Sequence, residues 1–242
     1  MLLHGLTGHF EEMRPLAEAL AARGFAVRVP RLAGHATDVA DLARTRWSDW
    51  FRSASQAYHA LAAEVPRVAV GGLSMGALLA LHLAATRPEV AASICAAAPI
   101  RLVDWRIRLI PLLAQVPAFR RRFALIPKRG GPDVSDTAVR AASPSYRATP
   151  LAAVHEMLRL RGMVMRELGW VTQPVLLLQG RSDHTVRASS VRALRRRLRS
   201  RVVETHVLPR SWHVLTVDVE RDEVGRLAAD FLDRVERGAL RD

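Results

Sequence analysis

The chain has 242 residues, half of them apolar, 24% charged and 5% aromatic, enough apolar material for a buried core and too much for intrinsic disorder. A single cysteine, Cys95, excludes a disulfide framework and any multi-cysteine metal or iron–sulfur centre. The 36 basic residues against 23 acids give a formal net charge of +13, and Lys128 is the one lysine among them.

Arginine-rich chains raise the question of nucleic acid. The densest group is Arg195, Arg196, Arg197, Arg199 and Arg201. It has no interleaved aromatics to stack bases and no recognition-helix pattern beside it, so charge stands alone and carries no readout. We read it as a solvated face, with no specific nucleic-acid partner. Residues 1–10 lack a basic region followed by an apolar core, so no secretory signal is expected and the expected location is the cytoplasm.

Along the chain, strand-like and helix-like runs alternate. Leu2 and Leu3 form the end of a buried strand. A helix opens at Pro15, with Glu11 and Glu12 ahead of it, and closes at Gly24. Residues 26–29 are the next strand and 47–63 the next helix. The stretch 68–86 carries no formal charge over 19 residues, about the length of a membrane span. Gly71, Gly72, Ser74, Gly76 and His82 divide it instead into a strand at 68–70, a glycine turn and a helix at 77–85. No transmembrane segment is expected. Strands follow at 90–97, 175–178 and 202–207, and helices at 190–198 and 219–235. Strands alternating with helices predict an α/β fold, a mostly parallel sheet with helices on both faces.

Residues 101–170 interrupt the alternation. Leu109, Ile110, Leu112, Leu113, Val116, Phe119 and Phe123 fall near helical spacing, broken by Pro111 and Pro117. Residues 128–132 read as a turn and 151–168 as a second helix. No strand is expected here. The organisation is thus a core of 1–100 and 171–242 with a helical insert at 101–170.

Chemistry concentrates at the strand ends. Gly72-Leu73-Ser74-Met75-Gly76 matches G-x-S-x-G after a strand and before a helix, the placement that lifts a serine hydroxyl clear of a sheet. Such a hydroxyl needs a base, and in this architecture the partners follow in the order acid, then histidine. Asp183, in Gly180-Arg181-Ser182-Asp183, and His213, in Ser211-Trp212-His213, each follow a strand. Ligand sites of open α/β sheets gather at that edge. Among rivals, His184 adjoins Asp183 and cannot readily turn onto it. His206 lies within a strand on a packing face, and His35 and His82 read as structural. Asp218 precedes the last helix and reads as its N-cap. The oxyanion that acyl transfer develops needs donors, here the Met75 N–H and the Leu6 N–H of the His4-Gly5 turn.

These features together resemble the α/β-hydrolase superfamily, in particular bacterial carboxylesterases and monoacylglycerol lipases. The carriers are Leu2-Leu3-His4-Gly5, Gly34-His35, Trp47-Ser48-Asp49-Trp50, Gly72–Gly76, Ala98-Pro99, the turn ending at Asp183, and Ser211-Trp212-His213. The resemblance implies an α/β-hydrolase fold, a Ser74–Asp183–His213 triad, oxyanion donors at Leu6 and Met75, neither cofactor nor metal, and a small cap formed by 101–170. Two departures stand out. Ala36 replaces the second glycine of the family's Gly-His-Gly. The family also carries further strands before the His-Gly turn, so the first strands are expected to be missing here. That would bare strand 26–29 to pairing with another chain, as in a homodimer, and leave the protein less stable or less active than an extended form.

The expected activity is hydrolysis of a carboxylic ester with an aliphatic acyl group, a monoacylglycerol or a simple alkyl or aryl ester, through an acyl-enzyme on Ser74. Serine at the elbow disfavours the aspartate-based chemistries of the superfamily. A thioesterase or acyltransferase would use the same three residues, and a hydrolase-like binding scaffold would use none of them.

Overall fold

Side-chain alternation along the strands decides the layering. In β6 (Val175–Gly180), Val175 and Leu177 belong to one buried cluster and Leu176 and Leu178 to another. Leu3 and Leu2 of β1 (Leu2–Leu3) split in the same way. A strand apolar on both faces must be covered on both. The computed structural model describes residues 1–128 and 130–239, without the side chains of Arg108 and Arg120.

Five parallel strands form the main sheet in the order β1, β2 (Val70–Leu73), β3 (Ser93–Ala96), β6 and β7 (Val203–Leu208). Their registers set Leu3 beside Gly72, Gly72 beside Cys95, and Cys95 beside Leu177. Helices α1 (Arg14–Ala21) and α10 (Arg221–Glu236) cover one face through Leu16, Leu20, Val224, Ala228 and Phe231. On the other face lie α3 (Trp47–Ala62), α4 (Met75–Thr86) and α8 (Leu151–Glu167). Helix α4 is buried nearly all round, which explains its uncharged sequence without recourse to lipid. Among the described residues no helix is long and apolar enough to cross a membrane.

Several expectations need correction. Residues 25–30 form no assigned strand, although the Leu2 N–H donates to the Arg28 carbonyl at 2.9 Å. The helix expected from Pro15 to Gly24 begins with a 3-10 turn at Phe10–Met13 and ends at Ala21. A short helix, α2 (Val39–Arg44), was not predicted; six residues are too few to show a period, although Asp38 caps it by accepting the Ala40 N–H at 2.7 Å. Within the insert, Pro111 and Pro117 do not break a helix. They stand in the first turns of α5 (Ile110–Leu113) and α6 (Pro117–Arg122), where a missing N–H costs nothing. The insert also holds an antiparallel pair, β4 (Leu125–Pro127) with β5 (Ala148–Pro150), where no strand was expected. Of the turn expected at 128–132, Gly131 N–H bonds to the Lys128 carbonyl, and Arg129 lies outside the described residues. Helices α7 (Thr137–Ala142) and α9 (Ser189–Arg195) complete the chain.

The departure at position 36 has a backbone consequence. Ala36 sits at φ 53°, in the left-handed region, directly after Gly34 at φ 73° and buried His35. That conformation costs an alanine roughly 1 kcal/mol. Glycine would remove the strain and give back part of the gain as unfolded-state entropy. Ala36→Gly is therefore expected to raise the melting temperature by about 1–2 °C in a thermal melt, the scale of a ~0.5 kcal/mol gain in a chain this long. A lower melting temperature would show that the loop carries no strain.

Candidate active site

Ser74 stands at the turn from β2 into α4 with φ 55° and ψ −116°, a backbone conformation that serine seldom adopts. Close packing holds it there. A Cβ on Gly76 would stand 2.1 Å from the Leu3 carbonyl oxygen, and one on Gly72 would strike the Gly76 backbone at 2.2 Å. The two glycines let three backbone segments cross where no side chain fits.

The other two residues come from the ends of β6 and β7. His213 Nε2 lies 3.0 Å from Ser74 Oγ, within reach to accept its proton, and its Nδ1–H donates to Asp183 Oδ2 at 2.8 Å. Three further donors hold Asp183. Gln179 Nε2 donates to Oδ2, and the backbone N–H groups of Thr185 and Val186 donate to Oδ1 at 2.8 and 2.7 Å. Burial alone would raise the Asp183 pKa, but the His213 charge and these donors outweigh it and keep the carboxylate below its ordinary range. For His213, burial opposes protonation, and the charge and hydrogen bond of Asp183 overcome it, lifting the imidazole above the usual histidine value.

The loop after β1 meets Ser74 from the other side. A Cβ on Gly5 would lie 3.4 Å from the Ser74 Cβ. Burial lowers the His4 pKa to about 4, so the ring is neutral: Nδ1–H donates to the Gly5 carbonyl and Nε2 accepts the Leu32 N–H. The Leu6 and Met75 N–H groups have no hydrogen-bond partner among the described residues, which leaves both free to serve an anionic oxygen. Among the described residues no group of three His, Cys, Asp or Glu side chains is placed to hold a metal ion.

The arrangement agrees with a known family. The family model described as serine aminopeptidase, S33, matches residues 1–220. The chain belongs to this α/β-hydrolase family. It is 32% identical over 239 residues to a thermostable monoacylglycerol lipase of Bacillus sp. (strain H-257), covering 96% of this chain and 88% of that one. A carboxylesterase of Bacillus subtilis (strain 168) is 23% identical, over 98% and 92% of the two chains. A solved structure from work on LipS and LipT, two metagenome-derived lipolytic enzymes, superposes at a TM-score of 0.88 with 28% identity, over 96% of this chain and 92% of that one.

In this hydrolase Ser74 and His213 open into a cavity of about 830 Å³. Ile107, Ile110, Leu113, Phe119, Val154 and Met157 form the apolar part of its lining. Its polar lining includes Glu12, Lys128, Ser145 and Asp133, none of which was singled out for the site from sequence. Glu12 was read as a helix-start acid. It is instead buried, and accepts the Ser145 hydroxyl at 2.5 Å. Burial pushes its pKa up, against the pull of Ser145 and Lys128. Lys128 is pushed down by burial and drawn back by Glu12.

The rival residues have other work. Asp218 is not the N-cap of α10, a position taken by Glu220. Its buried carboxylate accepts the N–H groups of Trp212, Ser135, Asp136 and Val219, and these donors hold its pKa down despite burial. Glu220 accepts the Ser211 N–H and hydroxyl. Both carboxylates pin the loop that presents His213. His184 pairs with Asp133 at 2.7 Å, and His82 with Glu167 at 2.6 Å. His206 is half-exposed near Glu204 rather than on a packing face. His35 is buried, its pKa depressed to about 3 by burial and by His4.

The raised imidazole sets a pH dependence. A base must be neutral to take the Ser74 proton, so activity is expected to fall as pH drops through the His213 pKa, with the midpoint of the acid limb above 6.5. A kcat/KM profile from pH 5 to 9 reads this limb, and a midpoint below 6.5 would contradict it. Asp183→Asn is expected to lower kcat by about 10⁴ through loss of the correct tautomer.

Proposed function

We propose that Ser74, His213 and Asp183 are the catalytic groups of a carboxylic-ester hydrolase acting on esters of aliphatic acids, monoacylglycerols foremost. The observation that carries the reading is the unbroken hydrogen-bonded line from Ser74 Oγ through His213 to Asp183, beside a cavity lined by both apolar and polar side chains.

In the first half-reaction Ser74 Oγ bonds to the carbonyl carbon as its proton passes to His213 Nε2. The carbonyl electron pair moves to oxygen, where the Leu6 and Met75 N–H groups receive it. Collapse breaks the bond to the alcohol oxygen, which takes the proton from Nε2 and leaves. Water then gives a proton to Nε2 as its oxygen attacks the acyl carbon. Collapse releases the carboxylic acid and returns the proton to Ser74 Oγ. Asp183 stays ionised throughout and stabilises the imidazolium.

The apolar arm suits the acyl chain. Glu12, Ser145 and Lys128 offer a hydroxylated alcohol such as glycerol both donors and acceptors, which a simple alkyl alcohol leaves unused. The relatives named as a monoacylglycerol lipase and a carboxylesterase support this assignment. Residues 101–170 serve as the cap over the acyl arm. A cytoplasmic location fits the lone cysteine, buried and unpaired.

Treatment with a fluorophosphonate, read by intact mass, is expected to give one adduct on the wild type and none on Ser74→Ala. An unlabelled, folded wild type would overturn the assignment of the nucleophile. Glu12→Gln is expected to lower kcat/KM for a monoacylglycerol about tenfold, the scale of one hydrogen bond to a charged group, and to leave the methyl ester of the same acid nearly unchanged. Equal losses on both esters would remove Glu12 from alcohol recognition.

A further inference from the structure

One residue of the insert bonds to both of the loops that carry Asp183 and His213. The Asp133 carbonyl oxygen accepts the Val214 N–H at 3.0 Å, one position past His213. Its carboxylate reaches the loop after β6. There Oδ2 accepts the His184 N–H at 3.0 Å and the Thr185 hydroxyl at 3.2 Å, and Oδ1 accepts from His184 Nδ1 at 2.7 Å. Thr185 gives its own N–H to Asp183 Oδ1 at 2.8 Å. These contacts close a ring, from Asp183 through Thr185, Asp133 and Val214 to His213, and back to Asp183 by the 2.8 Å bond between them. Among the described residues no hydrogen bond runs directly between 184–187 and 214–217, so past the triad residues the two loops are bonded through Asp133.

The local sequence leaves Asp133 little freedom. Pro132 ahead of it has a fixed φ, and Val134 behind it is buried in the same cluster as Val214 and Leu215. The N–H groups of Ser135 and Asp136 are held by Asp218 at 3.1 Å. The His184 ring meets Trp212 edge-on at 4.5 Å, and Arg140 lies 4.7 Å from the centre of the same indole. The Asp133 side chain is 18% exposed and lines the cavity that His213 also lines. Three acids face the imidazole from three elements and favour its charged form: Asp183 after β6, Asp133 from the insert, and Glu12 from the turn ahead of α1. The cavity's cation, Lys128, faces Glu12, while Asp133 faces His184.

We propose that Asp133 is a positioning residue of the triad, holding the Asp183 and His213 loops at the separation their mutual bond needs while its charge supports the imidazolium formed when Ser74 gives up its proton. The inference rests on Ser74, His213 and Asp183 being the catalytic groups. It adds to them an acid that bonds to neither Ser74 nor the imidazole and acts through the loops on either side. The insert thereby does more than cover the cavity, since a residue 52 positions from Thr185 sets the aim of the base.

The test is steady-state kinetics across the pH range on a monoacylglycerol and on the methyl ester of the same acid, beside thermal melts and fluorophosphonate labelling of each protein. Asp133→Ala opens the ring and is expected to lower kcat by about 30–100-fold on both esters with KM nearly unchanged, the scale of a misplaced catalytic group. Asp133→Asn separates position from charge. Its amide oxygen can still accept the His184 N–H and the Thr185 hydroxyl, and its NH2 can donate to the other tautomer of His184. It is expected to recover about tenfold of the alanine loss on the alkaline plateau and to move the acid limb of kcat/KM to lower pH by roughly 0.3–1 unit, because one negative charge near the imidazole is gone. Thr185→Val cuts the ring at the hydroxyl and keeps the N–H bond to Asp183. It is expected to lower kcat about tenfold alone and less than about twofold in Asp133→Ala, where the ring is already open. The proposal is overturned by a kcat of Asp133→Ala close to wild type, by a loss confined to the monoacylglycerol and carried in KM, by an acid limb that asparagine leaves in place, or by additive losses in the double variant. The second of these would make Asp133 a contact of the alcohol. If Asp133→Ala does not fold, the acid limb of Asp133→Asn and the loss in Thr185→Val decide alone. A folded wild type that takes no fluorophosphonate would refute instead the triad assignment on which the inference rests.

Discussion

Everything at the site rests on a backbone crossing. The turn carrying Ser74 passes so close to the end of β1 that a single methyl at Gly76 would stand 2.1 Å from the Leu3 carbonyl oxygen. This contact does three things at once. It keeps Ser74 at φ 55°, so that Oγ leaves the plane of the sheet. It leaves the Met75 N–H at the first turn of α4, where no carbonyl of the helix can reach it. It also fixes β1 relative to β2, and therefore where the His4–Leu6 loop begins. A looser crossing would let Ser74 relax to an ordinary conformation, pull Oγ away from His213, and misplace both free donors together.

The second constraint is electrostatic. Asp183, Asp218 and Glu220 are buried carboxylates on the side of the site that carries His213, and each is surrounded by donors. They differ in what they hold. Asp183 fixes the imidazole, whereas Asp218 and Glu220 fix the backbone of residues 210–212 that aims it. Because Asp218 also accepts the N–H groups of Ser135 and Asp136, it ties the His213 loop to the insert. Removing its charge would leave several buried N–H groups without acceptors. The resulting displacement would reach His213 without any change in the triad itself.

Legibility in the sequence followed the length scale of each signal. Strand–turn–helix around Ser74 could be read because glycine spacing and the uncharged helix are local patterns. The order Ser74, Asp183, His213 could be read because each follows a strong apolar run, and the geometry brings the three together. Helix α2 and the β4–β5 pair could not be read, since elements of three to six residues show no usable period. Pro111 and Pro117 misled because a proline inside an apolar pattern marks a break or a start, and only the neighbouring chain decides which. Asp218 misled for a related reason: its acceptors are filled by residues more than eighty positions away as well as by its neighbours. Glu12 was invisible as a cavity residue. Its partner Ser145 is 133 positions distant, and nothing local separates it from half-buried Glu11.

Glu12 and Lys128 also run against the economy of the rest of the fold. Elsewhere the arginine excess sits on the surface, where a cation costs little, and the one lysine of the chain is placed against the cavity. A carboxylate and an ammonium withdrawn from water are a net expense unless their geometry is ideal, and well-packed apolar residues in their place are often neutral or stabilising. Here the pair is not closed: Glu12 satisfies one oxygen through Ser145, and no carboxylate lies within 4.0 Å of the Lys128 ammonium among the described residues. Both groups line the cavity, and on the proposed function they are the ones that would meet a polar group of the substrate. The apolar arm makes no such demand, since it is satisfied by its own packing. On the proposed function the two kinds of lining divide the work of recognition, with the apolar side chains retaining the acyl chain and the polar ones selecting the alcohol.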